Sequence, residues 1–264
     1  MSDVMYRKWP SEQNKAVILL VHGLGAHSDR WIFLSDFLCK NGFTSYAIEL
    51  KGFGATEGER GHIDSFKTYY DDLLLLLDKI NKENRGKKIF LLGESMGGLI
   101  AFRLAQLYPE AISGLIAISP AFANGMKFGF KDYATLLTSM IINPKKTLNM
   151  PFTSEMCTRD KTYQVVMNNN PKEIRVASAK LLLNILIEQI KSKASLNRMK
   201  TPVLFLLAGI DYLVDERENK KVFNNISYCD KTLIEYPEML HALSIELDRE
   251  KVFADILSWL TERT

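Results

Sequence analysis

The chain has 264 residues, of which 47% are hydrophobic and 25% are charged, and its formal net charge is only +3. This length and balance allow one sizeable hydrophobic core and predict a single α/β domain with an insertion. The N-terminus lacks an apolar stretch of signal-peptide length, and no run of about 18 apolar residues occurs, which predicts a soluble cytoplasmic protein.

The cysteine pattern argues against a disulfide framework and against a metal site. Cys39, Cys157 and Cys229 are odd in number and lie far apart in the sequence. Their spacing matches no paired or metal-ligating pattern, so they are predicted to be ordinary reduced thiols.

Short apolar runs alternate with helix-like segments along the chain. Strands are predicted near residues 16–21, 43–50, 87–92, 114–119, 202–207 and 231–236. Helices are predicted near residues 28–41, 64–83, 95–108, 214–225 and 247–262. This alternation predicts an α/β fold whose mostly parallel, doubly wound sheet is covered by helices on both faces.

The first strong strand prediction, residues 16–21, ends in a loop that contains glycines. His22 is followed by Gly23, Leu24 and Gly25, and glycines allow backbone N–H groups to approach a ligand closely. We predict that the N–H of Leu24 binds an oxyanion together with the N–H of Met96. His22 itself is interpreted as a structural residue.

Residues 93–97 have the pattern Gly-x-Ser-x-Gly, with Ser95 at the centre, between a predicted strand and a predicted helix. An abrupt turn from strand to helix requires small flanking residues, and it lifts the central side chain onto the helix N-terminus. There the helix dipole and the free N–H groups favour a negatively charged oxygen. Ser95 is therefore predicted to be a nucleophile; for the pentapeptide alone, the alternative is a chance glycine-rich turn.

The alternation of strands and helices breaks between Pro120 and Lys200, where no strand is predicted. We predict a helical cap over residues 121–200, inserted into a core made of residues 1–120 and 201–264. Two apolar helices are predicted within the cap, at residues 126–142 and 174–190. Part of their apolar surface packs the cap onto the core, and the remainder is predicted to line an acyl channel. The candidate substrate-binding residues are Phe128, Phe130, Leu137, Leu183 and Leu186.

A serine nucleophile requires a base that removes its proton and a carboxylate that orients the base. Of the four histidines, only His241 follows Ser95 in the chain, and it lies just beyond the predicted strand at residues 231–236. Asp211 lies at the carboxyl end of another predicted strand, where reacting groups gather in parallel sheets. Asp215 is interpreted as the cap of the next helix. The predicted catalytic residues are Ser95, Asp211 and His241, and this chemistry requires no cofactor or metal.

Three segments resemble the α/β-hydrolase fold, and more narrowly its monoacylglycerol lipase and lysophospholipase-like branch, which is grouped with the serine aminopeptidase-like hydrolases. They are residues 22–31, 52–62 and 93–98, and the resemblance covers nearly the whole chain. The chain departs from the pattern of the branch at three positions, where Glu49, Phe53 and Glu94 replace the usual Asp, His and His. All three predicted triad members are present.

Charge is unevenly distributed. Residues 124–200 carry a net charge of +8, whereas the rest of the chain carries −5. Two interpretations remain open: a solvated helical surface, or attraction to an anionic lipid surface through basic residues beside apolar ones. Nucleic-acid binding is not predicted, because no nucleic-acid-binding motif accompanies the positive charge.

The sequence thus predicts a serine carboxylic ester hydrolase for a lipophilic monoacyl substrate, with monoacylglycerol as the first choice. A lysophospholipase and a short-chain carboxylesterase are the alternatives of the same class, followed by an aminopeptidase. A non-catalytic ligand-binding module is disfavoured because such a chain is expected to have a damaged triad. The sequence leaves the oligomeric state open.

Overall fold

A seven-stranded sheet forms the centre of the computed structural model, which describes residues 4–126 and 129–264. The strands in this part of the chain are β1 (Tyr6–Trp9), β2 (Val17–Val21), β3 (Thr44–Ile48), β4 (Ile89–Glu94), β5 (Gly114–Ile118), β6 (Thr147–Asn149), β7 (Val176–Ser178), β8 (Val203–Ile210) and β9 (Lys231–Leu240). The order across the sheet is β1-β3-β2-β4-β5-β8-β9. β1 is antiparallel to β3 and the other neighbouring pairs are parallel, which confirms the predicted mostly parallel sheet.

Helices cover both faces of this sheet. The helices in the described residues are α1 (Ile32–Lys40), α2 (Lys67–Glu83), α3 (Met96–Leu107), α4 (Phe130–Ile142), α5 (Ser154–Cys157), α6 (Lys161–Asn169), α7 (Ala179–Ala194), α8 (Glu216–Asn225) and α9 (Arg249–Thr261). On β2, Leu19 packs into the core on the side of α2 and α3, and its neighbour Leu20 packs into the core on the side of α1 and α9. Successive strand residues point to opposite faces, so a strand covered on both faces is apolar throughout.

The segment between β5 and β8 is mainly helical, but it also contains a short two-stranded sheet. Residues 121–200 include α4 to α7, and β6 pairs with β7 in antiparallel register, with Thr147 opposite Ser178. The prediction that this segment lacks strands was wrong, because strands of three residues are too short to show alternation in the sequence.

The two helices predicted within this segment also begin later than expected. The helix predicted from residue 174 begins at Ala179, because the hydroxyl of Ser178 accepts a hydrogen bond from the N–H of Leu181 at 3.0 Å and caps it. The helix predicted from residue 126 begins at Phe130, and residues 127–128 lie outside the described part of the chain.

The carboxyl ends of the parallel strands meet at one edge of the sheet. β2, β4, β8 and β9 are followed directly by the segments that contain Leu24, Ser95, Asp211 and His241. Residues of α4 and α7 line the same cavity as Ser95 and His241, so the segment between β5 and β8 lies over this edge. The topology thereby brings residues that are distant in sequence to a single site.

Candidate active site

Ser95 occupies a tight turn between β4 and α3. Its backbone has φ 60° and ψ −123°, a conformation that non-glycine residues rarely adopt. The N–H of Ser95 donates to the carbonyl of Ile118 at 2.9 Å, which fixes the turn to β5. A side chain at Gly93 would overlap the carbonyl of Gly97, and one at Gly97 would overlap the carbonyl of Val21. The two glycines of the motif are therefore required by close backbone packing.

His241 and Asp211 form a buried hydrogen-bonded pair. His241 Nδ1 lies 2.7 Å from Asp211 Oδ2, and the two side chains are 4% and 1% exposed. The other carboxylate oxygen, Oδ1, accepts hydrogen bonds from the N–H groups of Leu213 at 2.9 Å and Val214 at 3.0 Å. These bonds fix the carboxylate in the orientation that an acid partner of the imidazole needs.

Asp215, the alternative acid, has a different role in the structure. Its Oδ1 accepts a hydrogen bond from the N–H of Arg217 at 3.0 Å and caps the N-terminus of α8. The interpretation of Asp215 as a helix cap is confirmed.

The remaining ring nitrogen of His241 is available for chemistry. Nε2 is buried and has no hydrogen-bond partner among the described residues, and His241 borders the same cavity as Ser95. Burial lowers the pKa of His241, but the adjacent Asp211 carboxylate outweighs it through charge and hydrogen bonding, so the pKa lies above its usual value. The imidazole is therefore a stronger base than an isolated histidine.

The two predicted oxyanion donors also border the cavity. Met96 is the first residue of α3, and Leu24 lies in the loop after β2. This loop packs directly against Ser95, since a Cβ added to Gly23 would lie 3.0 Å from Ser95 Cβ. Neither the Leu24 nor the Met96 N–H donates a hydrogen bond to a described residue. Two backbone donors next to Ser95 are thus free to bind an anion.

The loop after β2 is supported by His22 and by Phe53 and Glu49, two of the three residues that depart from the family pattern. His22 Nε2 accepts a hydrogen bond from the N–H of Leu50 at 3.1 Å, and burial lowers the pKa of His22 to about 4, so it is neutral, as expected of a structural histidine. Phe53 packs edge-on against the His22 ring, with centroids 5.9 Å apart. Glu49 accepts hydrogen bonds from the N–H and hydroxyl of Ser28.

A cavity of about 520 Å³ extends from Ser95 between the sheet edge and the segment above it. Most of its described lining is apolar and comes from that segment: Met126, Leu136, Met140, Leu148, Met150, Pro151, Phe152, Met167, Leu182, Ile185 and Leu186. Such a lining can hold an acyl chain.

The five candidate channel residues have different positions relative to this cavity. Leu186 lines the cavity, whereas Leu183 lies outside the lining, because the wall is formed by the α7 stripe of Leu182, Ile185, Leu186 and Gln189. Residues spaced three and four apart share one helix face, and Leu183 belongs to the next face. Phe128 lies outside the described residues, as do the side chains of Phe130 and Leu137.

Part of the cavity wall is charged, and sequence reasoning did not assign these residues a role. Arg30, Glu94 and Glu173 all line the cavity. Arg30 Nη2 lies 2.5 Å from Glu173 Oε1, and burial raises the pKa of Glu94. The motif segments quoted above include Arg30 and Glu94, but only the fold shows that both face the cavity beside Ser95.

The loop that carries His241 is fixed at both ends by buried carboxylates. Glu94 Oε1 accepts a hydrogen bond from the N–H of Ser244 at 3.1 Å, and its Oε2 accepts one from the Ser244 hydroxyl at 3.0 Å. Glu246 Oε1 accepts hydrogen bonds from the N–H of Leu240 at 3.1 Å and from Arg159 Nε at 2.9 Å. The His241 loop is therefore held against both β4, the strand that leads to Ser95, and the segment above the sheet.

The fold and the site together define an α/β-hydrolase with a serine in a tight strand-to-helix turn, a histidine–aspartate pair and a largely apolar cavity. Residues 12–248 match the model of the family described as serine aminopeptidase, S33, and the chain belongs to this family. Among the described residues there is no group of three or more His, Cys, Asp or Glu side chains that could hold a metal ion.

Known relatives match nearly the whole length of the chain. The human monoglyceride lipase is 31% identical over 98% of this chain and 86% of its own length. The phospholipase YtpA of Bacillus subtilis is 29% identical over 93% of this chain and 95% of its own. The crystal structure of the Paleococcus ferrophilus monoacylglycerol lipase superimposes with a TM-score of 0.90, at 26% identity and over 99% of both chains.

Proposed function

We propose that the protein is a serine ester hydrolase that cleaves monoacylglycerol into a fatty acid and glycerol through an acyl-enzyme. The observation that carries the proposal is the geometry around Ser95. A strained nucleophile turn, a 2.7 Å His241–Asp211 pair and an apolar cavity of about 520 Å³ occur together at the carboxyl edge of the sheet.

In this mechanism Ser95 Oγ attacks the ester carbonyl while His241 Nε2 takes its proton. Asp211 keeps the proton on Nδ1 and stabilises the imidazolium that forms. The N–H groups of Leu24 and Met96 stabilise the negative oxygen of the tetrahedral intermediate. His241 then gives the proton to the departing alkoxide, and a water molecule, activated in the same way, releases the fatty acid from Ser95.

Monoacylglycerol is proposed as the substrate because the relatives with this activity in their names match the chain over almost its full length. They include the human enzyme at 31% identity and the Paleococcus enzyme. A soluble variant of the Saccharomyces cerevisiae monoglyceride lipase, solved in complex with a substrate analog, has the same fold with a TM-score of 0.86. The apolar lining suits the acyl chain of such an ester.

Lysophospholipid hydrolysis is the second candidate, and the similarity to the phospholipase YtpA favours it. Both activities cleave an ester between one acyl chain and a polar alcohol, so the same catalytic residues serve either. They differ in the leaving group, which is glycerol in one case and a phosphate-bearing alcohol in the other.

We also propose that residues 121–200 act as a cap that contributes the acyl wall and contacts lipid surfaces. Ile141 and Ile142, at the end of α4, are 85% and 82% exposed, and the basic residues Lys145 and Lys146 follow them. No helix within residues 4–126 and 129–264 is long and apolar enough to cross a membrane. The cytoplasmic location stays a prediction.

A substrate panel tests the function directly. The panel contains monoacylglycerols, lysophosphatidylcholine, p-nitrophenyl esters and aminoacyl amides, and kcat/KM is compared across it. We expect the monoacylglycerols to be the best substrates, and covalent labelling by a fluorophosphonate probe to map to Ser95. A folded protein that the probe does not label at Ser95 would contradict the proposed mechanism.

A further inference from the structure

His241 lies in a loop rather than in a helix or strand. β9 ends at Leu240 and α9 begins at Arg249, and the residues between them, 241–248, are here called the His241 loop. Leu243–Ile245 form a single turn of 3₁₀ helix within it. A loop lacks the continuous backbone hydrogen bonds of a helix or strand, so the position of the imidazole depends on the segments that pack against the loop.

One of these segments comes from the region between β5 and β8. Residues 157–160, which join α5 to α6 and are here called the α5–α6 linker, lie along the His241 loop. Successive residues of the linker make hydrogen bonds to the loop: the Cys157 carbonyl accepts from the Ala242 N–H at 2.9 Å, the Thr158 hydroxyl donates to the Ile245 carbonyl at 3.0 Å, and the Arg159 N–H donates to Glu246 Oε1 at 3.1 Å. The linker therefore holds the loop along most of its length.

The side chain of Arg159 adds charge-assisted hydrogen bonds to the same loop. Its Nε lies 2.9 Å from Glu246 Oε1, and its Nη2 lies 2.8 Å from Asp248 Oδ2. Glu246 and Thr158 are fully buried. Hydrogen bonds between groups that are shielded from water, and those to charged groups, contribute more than exposed neutral ones. The linker is thus attached to the loop by its stronger kind of contact.

These contacts fix the residues on both sides of His241. Ala242, the next residue in the chain, is bound directly by the linker. Leu240, the preceding residue, donates its N–H to Glu246 Oε1 at 3.1 Å, and this oxygen is also the acceptor of Arg159. A displacement of the linker would therefore move the backbone that carries the imidazole.

The linker side chains that make these bonds do not form the substrate cavity. The described lining includes Cys157 but not Thr158 or Arg159. An effect of these two side chains on hydrolysis must therefore act through the His241 loop rather than through contact with the acyl chain.

We propose that Thr158 and Arg159 are positioning residues for His241, so that the segment between β5 and β8 holds the base as well as forming the acyl wall. The inference rests on the proposed ester hydrolase function. Proton transfer from Ser95 requires hydrogen-bond distance, and a displacement of about 1 Å can lower the rate about 100-fold. Glu94 holds the same loop from the side of the core through Ser244. The base is thus located between two independent supports.

Three variants of the linker test the proposal. Thr158→Val keeps the size of the side chain but removes the hydrogen bond to Ile245, and kcat should fall about tenfold. Arg159→Met keeps the apolar stem but removes the bonds to Glu246 and Asp248, and kcat should fall about 30-fold. Arg159→Lys keeps the positive charge but not the forked geometry, so it should recover part of this loss. Circular dichroism gives the folded fraction by which each kcat is corrected.

Two esters separate positioning of the base from shaping of the cavity. p-Nitrophenyl acetate carries an acyl group too short to fill the apolar lining, whereas the hexanoate extends along it. His241 acts in both acylation and deacylation, so displacement of the base should lower kcat by the same factor for both esters, with KM within about twofold of wild type. A change in cavity shape would instead raise KM or affect the hexanoate alone.

Two control variants remove similar contacts elsewhere. Arg60 also joins the segment between β5 and β8 to the core, through hydrogen bonds from Nη2 to the carbonyls of Pro171 at 3.1 Å and Lys172 at 2.9 Å. Thr201 is buried like Thr158 and donates to the Pro109 carbonyl at 3.3 Å, at the opposite edge of the sheet from Ser95. Arg60→Met and Thr201→Val should keep the wild-type kcat per folded molecule.

The outcomes of this experiment are distinct. Wild-type kcat in Thr158→Val and Arg159→Met at equal folding, a loss confined to the hexanoate, or an equal loss in the two control variants overturns the inference. If Arg159→Met does not fold, Thr158→Val and Arg159→Lys decide by the same criteria. If the wild type hydrolyses neither ester, the proposed function itself is wrong.

Discussion

The strained backbone at Ser95 shows how single residues are held for chemistry. Its φ of 60° is maintained by hydrogen bonds from the Ser95 N–H to Ile118 and from the Ala121 N–H to the Ser95 carbonyl. Such a conformation costs free energy of about 1–3 kcal/mol and persists only where the surroundings fix it. This conformation places the half-buried Ser95 at the cavity together with the free N–H groups of Leu24 and Met96 and the imidazole of His241.

The triad assignment predicts an unequal response of two neighbouring aspartates. Ser95→Ala and His241→Ala should each remove nearly all esterase activity, because the triad acts as a unit. Asp211→Asn should lower kcat by about 10⁴-fold, since the imidazole loses the partner that holds its tautomer. Asp215→Asn removes only the cap of α8 and should leave kcat within a few-fold of wild type. If Asp215→Asn is the more damaging of the two at equal folding, the acid is misassigned.

The His241–Asp211 pair also predicts a pH dependence. Only neutral His241 can accept a proton, so kcat/KM falls as the pH drops through its pKa. Although burial alone would lower this pKa, Asp211 raises it above the usual value, and the acid limb of the profile should lie above about pH 6.5. In Asp211→Asn the carboxylate that raises the pKa of His241 is lost, whereas the burial that lowers this pKa remains. The acid limb of the residual activity should therefore lie at lower pH than in the wild type. If the acid limb of Asp211→Asn lies at the same pH as that of the wild type, a group other than His241 controls it. Asp215→Asn is the control and should leave the pH of the acid limb unchanged.

At the scale of secondary-structure elements, α7 forms one side of the cavity. Leu182 and Ile185 line it, whereas Leu181 is fully buried in the core and Leu183 lies outside the lining. The turn of the helix therefore separates side chains that line the cavity from side chains that attach the helix to the core.

Chain-length preference should depend on this stripe. Each buried methylene contributes about 0.8 kcal/mol, so kcat/KM should rise from butanoyl to decanoyl esters of glycerol. Leu182→Ala should lower kcat/KM several-fold for the decanoyl ester and little for the butanoyl ester. Leu183→Ala is the matched control and should leave the ratio unchanged. A steady fall in kcat/KM beyond butanoyl, measured with monomeric esters, would favour a short-chain esterase.

The contact between Glu246 and Arg159 should stabilise the His241 loop. Glu246 is fully buried and holds both the Leu240 N–H and Arg159. Glu246→Ala leaves these donors without an acceptor and should lower the free energy of unfolding by about 3 kcal/mol. Asp248→Ala removes a partly exposed partner of Arg159 and should cost less than about 1 kcal/mol. Urea unfolding compares the two; similar losses would show that the buried position of Glu246 is unimportant.

At the scale of the whole molecule, the distribution of charge separates the chain into two parts. Residues 124–200 carry a net charge of +8, and the remainder carries −5. The exposed isoleucines of α4 lie on the basic part, next to Lys145 and Lys146. Basic and apolar groups side by side are typical of proteins that contact anionic lipid surfaces.

Binding to vesicles tests this arrangement. We expect the protein to co-sediment with anionic vesicles more than with neutral ones, and to do so less at 1 M salt, where the Debye length falls to about 3 Å. Lys145→Glu combined with Lys146→Glu should reproduce the loss at low salt. Lys87→Glu, an exposed change outside this segment, is the control. Equal binding to both vesicle types, or to neither, would leave the charge asymmetry without a lipid partner.

The sequence by itself determined six of the seven strands of the sheet, all except β1, and the order of the chemical groups. Strands buried on both faces appear as continuous apolar runs, and the turn at Ser95 requires glycines at fixed positions, so both leave local patterns. Asp211 and His241 were predictable because each follows such a run, and their 2.7 Å contact follows from parallel strands ending at one edge.

Only the tertiary structure decided which residues form the cavity wall. Arg30 and Glu173 are 143 positions apart, Glu94 and Ser244 are 150 apart, and no local pattern links either pair. The choice of Leu182 over Leu183 depends on the rotation of α7, and β6 and β7 are too short to show a period. Contacts of this kind arise when distant segments pack together, and local propensities do not encode them.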